Sequence, residues 1–169
     1  MSPIECKFLL EPFWKGRPEL KRLTVKKMDI KDLQEVQLIA ASSSLNPWSE
    51  NMFVGEMRNP FSHCFITKIR ERSNPPVLGF ISFRNIEDES ELLNICVHPR
   101  YRQLGIGKRL MQFYIGFSSR KKIKTYYLEV NSSNLPAINL YQSFSYQSLG
   151  IRKKFYQGRF DAILMVKKV

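Results

Sequence analysis

The sequence predicts a single α/β domain, and three observations carry that prediction. Runs with strand character interleave with segments whose apolar residues recur at helical spacing. One junction, RQLGIG (102–107), joins an apolar run directly to helix-forming residues through two glycines. The chain has 169 residues, 43% of them hydrophobic with 12 Phe and 7 Tyr, enough for one packed core.

Taken in chain order, LTVKKM (23–28) alternates as a strand does. DIKDLQEVQLIAASSS (29–44) reads as a helix. Asp29 is its N-cap candidate, and Ile30, Leu33, Val36 and Ile39 recur at helical intervals. A short helix is expected within NPWSENMFVGEMRN (46–59), begun at Ser49 with Glu50 in its first turn. HCFITKIR (63–70) and VLGFISFR (77–84) are strands, and ERSNPP (71–76) between them is a turn by its Ser, Asn and paired prolines. ELLNICV (91–97) is nearly all apolar, which places it at the centre of the sheet. The glycine junction then opens a helix that runs to about Phe117. KTYYLEV (124–130) is a further strand. SSNLPAINLYQSF (132–144) is a helix with Asn134 as N-cap and Pro136 in its first turn, where a missing N–H costs little. From Tyr146 to Val166 two strands flank the turn QGR. Repeats and an interdomain linker are absent. Residues 1–20 show no clear period and form an N-terminal appendage to a single domain spanning 21–169.

No apolar run approaches the roughly 18 residues that span a bilayer. The N-terminal stretch has no cationic-then-apolar leader and carries Glu5 and Glu11, so secretion is not expected. Three widely spaced cysteines, Cys6, Cys64 and Cys96, fit a reduced, cytoplasmic chain with neither a disulfide framework nor metal-ligand spacing. His63 and His98 are too few for a His-rich metal site, so no metal is expected.

The net charge of +12 is unevenly placed. Residues 1–97 hold 13 Lys+Arg against 13 Asp+Glu, whereas residues 98–169 hold 14 Lys+Arg against Glu129 and Asp161 alone. Two readings fit: a solvated basic face, or an anion site together with attraction to an anionic partner such as RNA.

The glycine junction supplies a physical reason for an anion site. Strand, glycine turn and helix together present the unpartnered N–H groups of a helix N-terminus, where the helix dipole adds partial positive charge. Gly105 and Gly107 let backbone approach an oxyanion without Cβ interference, and Arg102, Lys108 and Arg109 add charge. On its own the pattern also fits a simple tight turn. It is not a Walker loop, since no Gly-Lys-Ser/Thr follows. Nor is it the dinucleotide fingerprint, because Leu110 stands at the third glycine position.

The pattern R-x-x-G-x-G after an apolar strand resembles the acetyl-CoA pyrophosphate motif of the GNAT superfamily of N-acetyltransferases. LEVNSSNLPAINLYQSFSY (128–146) resembles the second half of that family's site. NPWS (46–49) and IRKKFYQGRFDAILM (151–165) narrow the resemblance to the ribosomal-protein alanine N-acetyltransferases, the RimI-like family. It covers roughly residues 22–167. It implies the α/β acyl-CoA N-acyltransferase fold, a central mixed, mostly antiparallel sheet flanked by helices, with acetyl-CoA as co-substrate.

Carried over by position, the resemblance makes Ile95, Cys96 and Val97 the strand that pairs with the pantetheine arm and acetyl carbonyl. Arg102, Gln103, Leu104, Gly105, Ile106, Gly107 and Lys108 form the pyrophosphate loop, and Asn134 is a further coenzyme contact. Glu129 becomes the general base and Tyr141 the general acid. Trp48, Arg152, Phe155 and Tyr156 lie on the substrate side. One departure is clear: Ser145 and Tyr146 stand where Gly-Phe is usual, and Ser tolerates a positive φ less well than Gly, by about 1 kcal/mol.

The chemistry bears on these roles separately. An amine must attack the thioester as free base. An α-amine, at about pH 8, deprotonates roughly 2.4 units below a lysine, a difference of about 3 kcal/mol. A modest base therefore suffices for an α-amine. Beyond His98 the only carboxylates are Glu129 and Asp161. Strand alternation puts Glu129 on the face of Tyr127, opposite Leu128 and Val130, where the residues alone would read it as a solvent-facing Glu. Tyr141, seven residues after Asn134, shares a helix face with it by spacing and on the residues alone reads as a core tyrosine. Glu91, at the head of the apolar strand, is the alternative base.

The expected activity is transfer of acetyl from acetyl-CoA to the N-terminal α-amino group of a protein, an alanine-headed ribosomal protein foremost. The runner-up is acetylation of lysine or a small amine on the same fold. A third reading, a non-catalytic basic module for nucleic acid, is disfavoured by the intact Glu129, Asn134 and Tyr141. Neither a membrane partner nor sequence-specific nucleic-acid binding is expected.

Overall fold

The computed structural model describes residues 23–43, 47–70 and 75–169. The expected appendage (1–20), residues 44–46 and most of the ERSNPP turn lie outside them. A seven-stranded sheet organises the rest. In chain order the elements are β1 (Leu23–Lys27), α1 (Leu33–Ala41), α2 (Glu50–Arg58), β2 (Ser62–Ile69), β3 (Gly79–Ile86), β4 (Glu89–Val97), α3 (Ile106–Ser119), β5 (Thr125–Asn131), α4 (Leu135–Gln142), β6 (Gln147–Tyr156) and β7 (Phe160–Lys168). The strand order is β1-β2-β3-β4-β5-β7-β6. Only β4 and β5 pair parallel; the other five pairings are antiparallel. This is the mixed, mostly antiparallel sheet that the resemblance implies, with the apolar strand in the middle position.

Two cores cover the two faces. Under α3 the stripe Ile106, Leu110, Met111 and Tyr114 packs on Ile81, Phe83, Leu92, Tyr126 and Leu128. On the other face Val36, Ile39 and Ala40 of α1 and Phe53 of α2 pack on Ile66, Phe80 and Cys96. A buried ion pair fastens α1 to the sheet: Lys68 of β2 reaches Asp32, just ahead of the helix, at 2.9 Å. Removing Lys68 leaves Asp32 as an uncompensated buried charge, a loss of about 3–5 kcal/mol, whereas removing Asp32 costs less because Glu35 stands 4.0 Å from Lys68. The helix differs from the periodic reading at its start. Residues Ile30–Asp32 form a 3-10 turn behind Asp29, and Ile30 is 58% exposed. The tighter turn rotates Ile30 off the face that Leu33, Val36 and Ile39 bury. The α3 helix also runs two residues past Phe117, to Ser119.

The central strand is less buried than its composition implies, and the register shows why. Ser82 pairs with Asn94 but Phe83 pairs with Leu92, so Leu93 bulges out of the ladder. On its other edge β4 pairs with β5 only from Glu89↔Thr125 to Leu92↔Leu128. Beyond the bulge the two strands part, and a slot opens between Leu93–Val97 and Glu129–Asn131.

The end of α4 tests the Gly-Phe departure. Ser145 adopts the left-handed conformation at φ 67° that a glycine would hold without strain. Its N–H still donates to Gln142 and that of Tyr146 to Tyr141, so the turn is kept despite its cost. Ser145→Gly should therefore raise stability, by about 0.5–1 kcal/mol, with activity unchanged. Denaturant unfolding checks this; a loss of stability would mean that the serine conformation is not strained.

Candidate active site

The glycine junction leads straight off the end of β4. After Val97 the chain makes a 3-10 turn, Pro99–Tyr101, and the loop that follows has left-handed backbone at Gln103 (φ 59°) and Gly105 (φ 76°). Gly105 is the N-cap of α3, in a conformation that favours glycine. The N–H groups of Gln103, Leu104, Gly105, Ile106, Gly107 and Lys108 find no acceptor among the described residues. These donors at a helix N-terminus form a cradle suited to a pyrophosphate. Gly107 plays a different part from the one its spacing suggested. It is helical, and a Cβ there would sit 3.4 Å from Leu140 of α4 and 3.8 Å from Val97. Both are ordinary contact distances, so a methyl group would fit there.

Arg102 is also committed elsewhere than expected. Its guanidinium donates to the Val97 carbonyl at 3.3 Å and to the Ser43 hydroxyl at 2.9 Å, bridging the loop to the end of α1. The Val97 carbonyl is available for a reason of register. His98 donates to Leu78, so alternation turns the backbone groups of Cys96 and Asn94 toward β3. Those of Ile95 and Val97 then point across the slot that β5 has left. Backbone donors and acceptors lining a strand edge match an extended amide chain such as pantetheine.

Past the slot's mouth lie the side chains to which the resemblance gives the proton transfers. Glu129 of β5 projects to the α1/α2 face and pairs with Arg152 of β6 at 2.7 Å, reaching over β7. Both side chains are partly exposed to solvent, so the pair contributes at most about 1 kcal/mol. Arg152 in turn lies 4.1 Å above the Phe155 ring. The Tyr156 phenol is pushed up by burial and then by the Glu129 charge, with Arg152 opposing. Tyr141 is 6% exposed. Burial, with Cys96 and Tyr156 as electrostatic neighbours, drives its phenol well above the ordinary tyrosine range. Glu129, Arg152, Tyr156, Tyr141 and Cys96 thus meet at one place, from β4, β5, α4 and β6.

Other expected site residues lie further out. Asn134 is the N-cap of α4 and exposed; its side-chain oxygen accepts from the Ala137 N–H at 3.2 Å. Its backbone is non-helical, while its carbonyl already accepts the helical hydrogen bond from Ile138. Trp48 packs on Phe53 at 5.1 Å between ring centroids. Glu91 is exposed and paired with Tyr127, on the closed side of the bulge. The sequence reading missed the Glu129–Arg152 pair and the link from Arg102 to Ser43. Among the described residues no three His, Cys, Asp or Glu side chains gather as a metal site, and no helix is long and apolar enough to cross a membrane.

The sequence model of the Acetyltransferase (GNAT) family matches residues 27–146. The chain belongs to that family. Among its relatives, the ribosomal protein bS18-alanine N-acetyltransferase of Escherichia coli strain K12 is 30% identical over 145 residues, covering 84% of this chain and 95% of that protein. The crystal structure of the Escherichia coli ribosomal-protein-S18-alanine N-acetyltransferase superposes with a TM-score of 0.78 at 29% identity, covering 87% of this chain and 94% of that one. The Arabidopsis thaliana NAA60 structure in complex with acetyl-CoA has the same fold, at TM-score 0.76 and 20% identity, covering 87% and 98%.

As a GNAT acetyltransferase the chain takes acetyl-CoA as co-substrate, and its free N–H cradle and open strand edge fit that molecule. Cys96 sits beside the slot, yet a covalent acetyl-enzyme is disfavoured. Burial pushes its thiol up to about 11, only partly offset by Arg102 and Ser43. The thiolate is therefore scarce at neutral pH. Cys96→Ala should keep most of the wild-type kcat. A variant that binds coenzyme but is inactive would instead show a ping-pong route.

Proposed function

We propose that this enzyme acetylates the N-terminal α-amino group of a protein, with a small first residue such as alanine, and that a ribosomal protein is its substrate. The observation that carries the reading is the parting of β4 from β5 beyond Leu92, which leaves a slot with Glu129 on its β5 side and the buried Tyr141 beside Cys96 of β4. The 30% identity to a ribosomal protein bS18-alanine N-acetyltransferase, over nearly its whole length, supports the choice of substrate. A cytoplasmic location follows from that substrate.

In this reading the loop Arg102–Lys108 holds the coenzyme pyrophosphate and Ile95–Val97 align the acetyl group, with Asn134 as an outer contact. Glu129 accepts a proton from the incoming ammonium, directly or through a water. The free amine attacks the carbonyl carbon, the carbon–sulfur bond breaks, the Tyr141 hydroxyl gives its proton to the departing thiolate, and the proton the acylated nitrogen sheds returns to the phenolate through solvent. Trp48, Phe155 and Tyr156 border the peptide. Arg152, bound to Glu129, holds that carboxylate in place as much as it faces substrate. The α-amine is the easier nucleophile, because it loses its proton roughly 2.4 units below a lysine.

A peptide panel tests this. Peptides with a free N-terminal alanine or another small residue should be acetylated with kcat/KM at least tenfold above a lysine peptide with a blocked N-terminus. Comparable values would overturn the N-terminal assignment in favour of lysine or a small amine.

A further inference from the structure

The cations of the second half fall into three places. Arg100, Arg102, Lys108 and Arg109 surround the coenzyme loop, and Arg152, Lys153, Lys154 and Arg159 ride the β6–β7 hairpin. The remaining six lie at the opposite end of α3, some 14 residues and about 21 Å from the loop. There Arg120, Lys121 and Lys122 leave the helix, Lys124 leads into β5, and Lys167 and Lys168 end β7 against it. The ladder adds Lys27 of β1, opposite Phe65, whose ring packs beneath α3. Neither the coenzyme nor a peptide at the slot accounts for charge placed here.

The cluster is concentrated and only partly neutralised. Lys121 lies 3.2 Å from the His63 ring nitrogen and 5.1 Å from the Phe117 ring, so its contacts carry no opposing charge. Burial, then Lys121 and Lys27, push His63 down to about 4, so this ring stays neutral beside two ammonium groups. The acids at this end include Glu87, Asp88 and Glu89, at the β3–β4 turn, and, just past Lys27, Asp29, which pairs with Lys31. Asp88 pairs with Lys124 at 3.5 Å, and Glu89 accepts from the Tyr127 hydroxyl. The dipole at the end of α3 offsets about half a charge, far less than the excess.

We propose that this end of the molecule, around Lys27, Lys121, Lys122, Lys124 and Lys167, is a docking surface for the phosphate backbone of RNA. Lysine outnumbers arginine there, and point charges on flexible stems suit phosphates met at varied angles. Such point charges bind phosphate without the fixed bidentate geometry of an arginine fork, as a backbone contact that reads no sequence requires. The exposed apolar Ile86 shares the face of Arg84, which binds Glu56 of α2, so it lies on the other side of the sheet from Lys121. On the cluster's own side the exposed apolar groups are Phe61, two residues before His63, and Val169, whose N–H donates to the Lys124 carbonyl; two separate side chains do not make the continuous apolar face of an interfacial membrane helix. Contact is with the backbone and reads no sequence. It would bring the enzyme to RNA-bearing particles whichever amine it acetylates.

The test measures anisotropy of a labelled RNA stem–loop over a salt series, with full-length wild type and the triple variant Lys121→Glu, Lys122→Glu, Lys124→Glu. The variant should lose at least about tenfold in affinity, and the slope of log K against log salt should flatten by roughly 3. Acetyl-CoA affinity and thermal midpoint serve as integrity controls independent of the peptide substrate. If charge reversal impairs folding, the Lys→Gln triple should give a smaller loss in the same direction. Wild-type RNA affinity and slope in a folded variant would overturn the proposal. So would a larger loss from Lys153→Glu with Lys154→Glu, or equal binding of polyglutamate or phosphatidylserine vesicles to this end.

Discussion

Gly107→Glu should lose acetyl-CoA affinity by about a hundredfold or more, roughly 3 kcal/mol, while remaining folded. Folding and binding respond to the new charge in opposite directions. Position 107 is in the first turn of α3, where a carboxylate complements the helix dipole and stabilises the helix by a few tenths of a kcal/mol. The same carboxylate faces the place where N–H groups 103–108 point. Against a pyrophosphate oxyanion at about 4 Å, like charges at a partly screened site oppose binding by about 4 kcal/mol. Sterics add to this, because a side chain here starts 3.4 Å from Leu140 and 3.8 Å from Val97, across the mouth of the slot. Gly107→Ala separates the two effects. Its methyl group reaches only the edge of ordinary contact and carries no charge, so its loss should be several-fold at most. Titration calorimetry with acetyl-CoA makes both measurements. Unchanged affinity in folded Gly107→Glu would remove the pyrophosphate from this loop.

That loop was legible in the sequence because its signals are local. An apolar run, two glycines and a helix-forming stretch fix strand, turn and N-terminus without reference to the rest of the chain. Ser49 and Asn134 were legible as N-caps for the same reason, and each accepts the expected backbone hydrogen bond, from Met52 and Ala137. What could not be read depends on register. The bulge at Leu93 exists only against β3, and it parts β4 from β5. Nothing in ELLNICV distinguishes the paired Leu92 from the extruded Leu93. The Glu129–Arg152 pair needs β6 to lie outside β7, with register shifts that carry residue 152 over the sheet. Ile30 misled because a periodic pattern assumes α geometry from its first residue, and the chain opens with a 3-10 turn.

Glu129→Gln and Tyr141→Phe should each lower kcat by about 10²–10⁴-fold, the usual worth of a positioned proton transfer. Their pH profiles should differ. Glutamine cannot take the ammonium proton, so the first variant should recover toward high pH, where an α-amine of pKa about 8 is already free. Tyr141→Phe should not recover, because the missing step is protonation of the leaving sulfur. The environment of Tyr141 suits it to that step. Burial holds the phenol protonated far above neutrality, and the phenolate left after transfer is quickly reprotonated. Acetyl-CoA affinity should change little in either variant, since neither side chain belongs to the N–H cradle or to the β4 edge. Glu91→Gln is the control, because Glu91 lies on the closed side of the bulge and should retain near wild-type kcat. The measurements are kcat against pH for all three variants with one N-terminal peptide. Near wild-type rates in Glu129→Gln, together with a large loss in Glu91→Gln, would move the base to β4. A Tyr141→Phe profile that rises with pH like that of Glu129→Gln would remove Tyr141 as the acid.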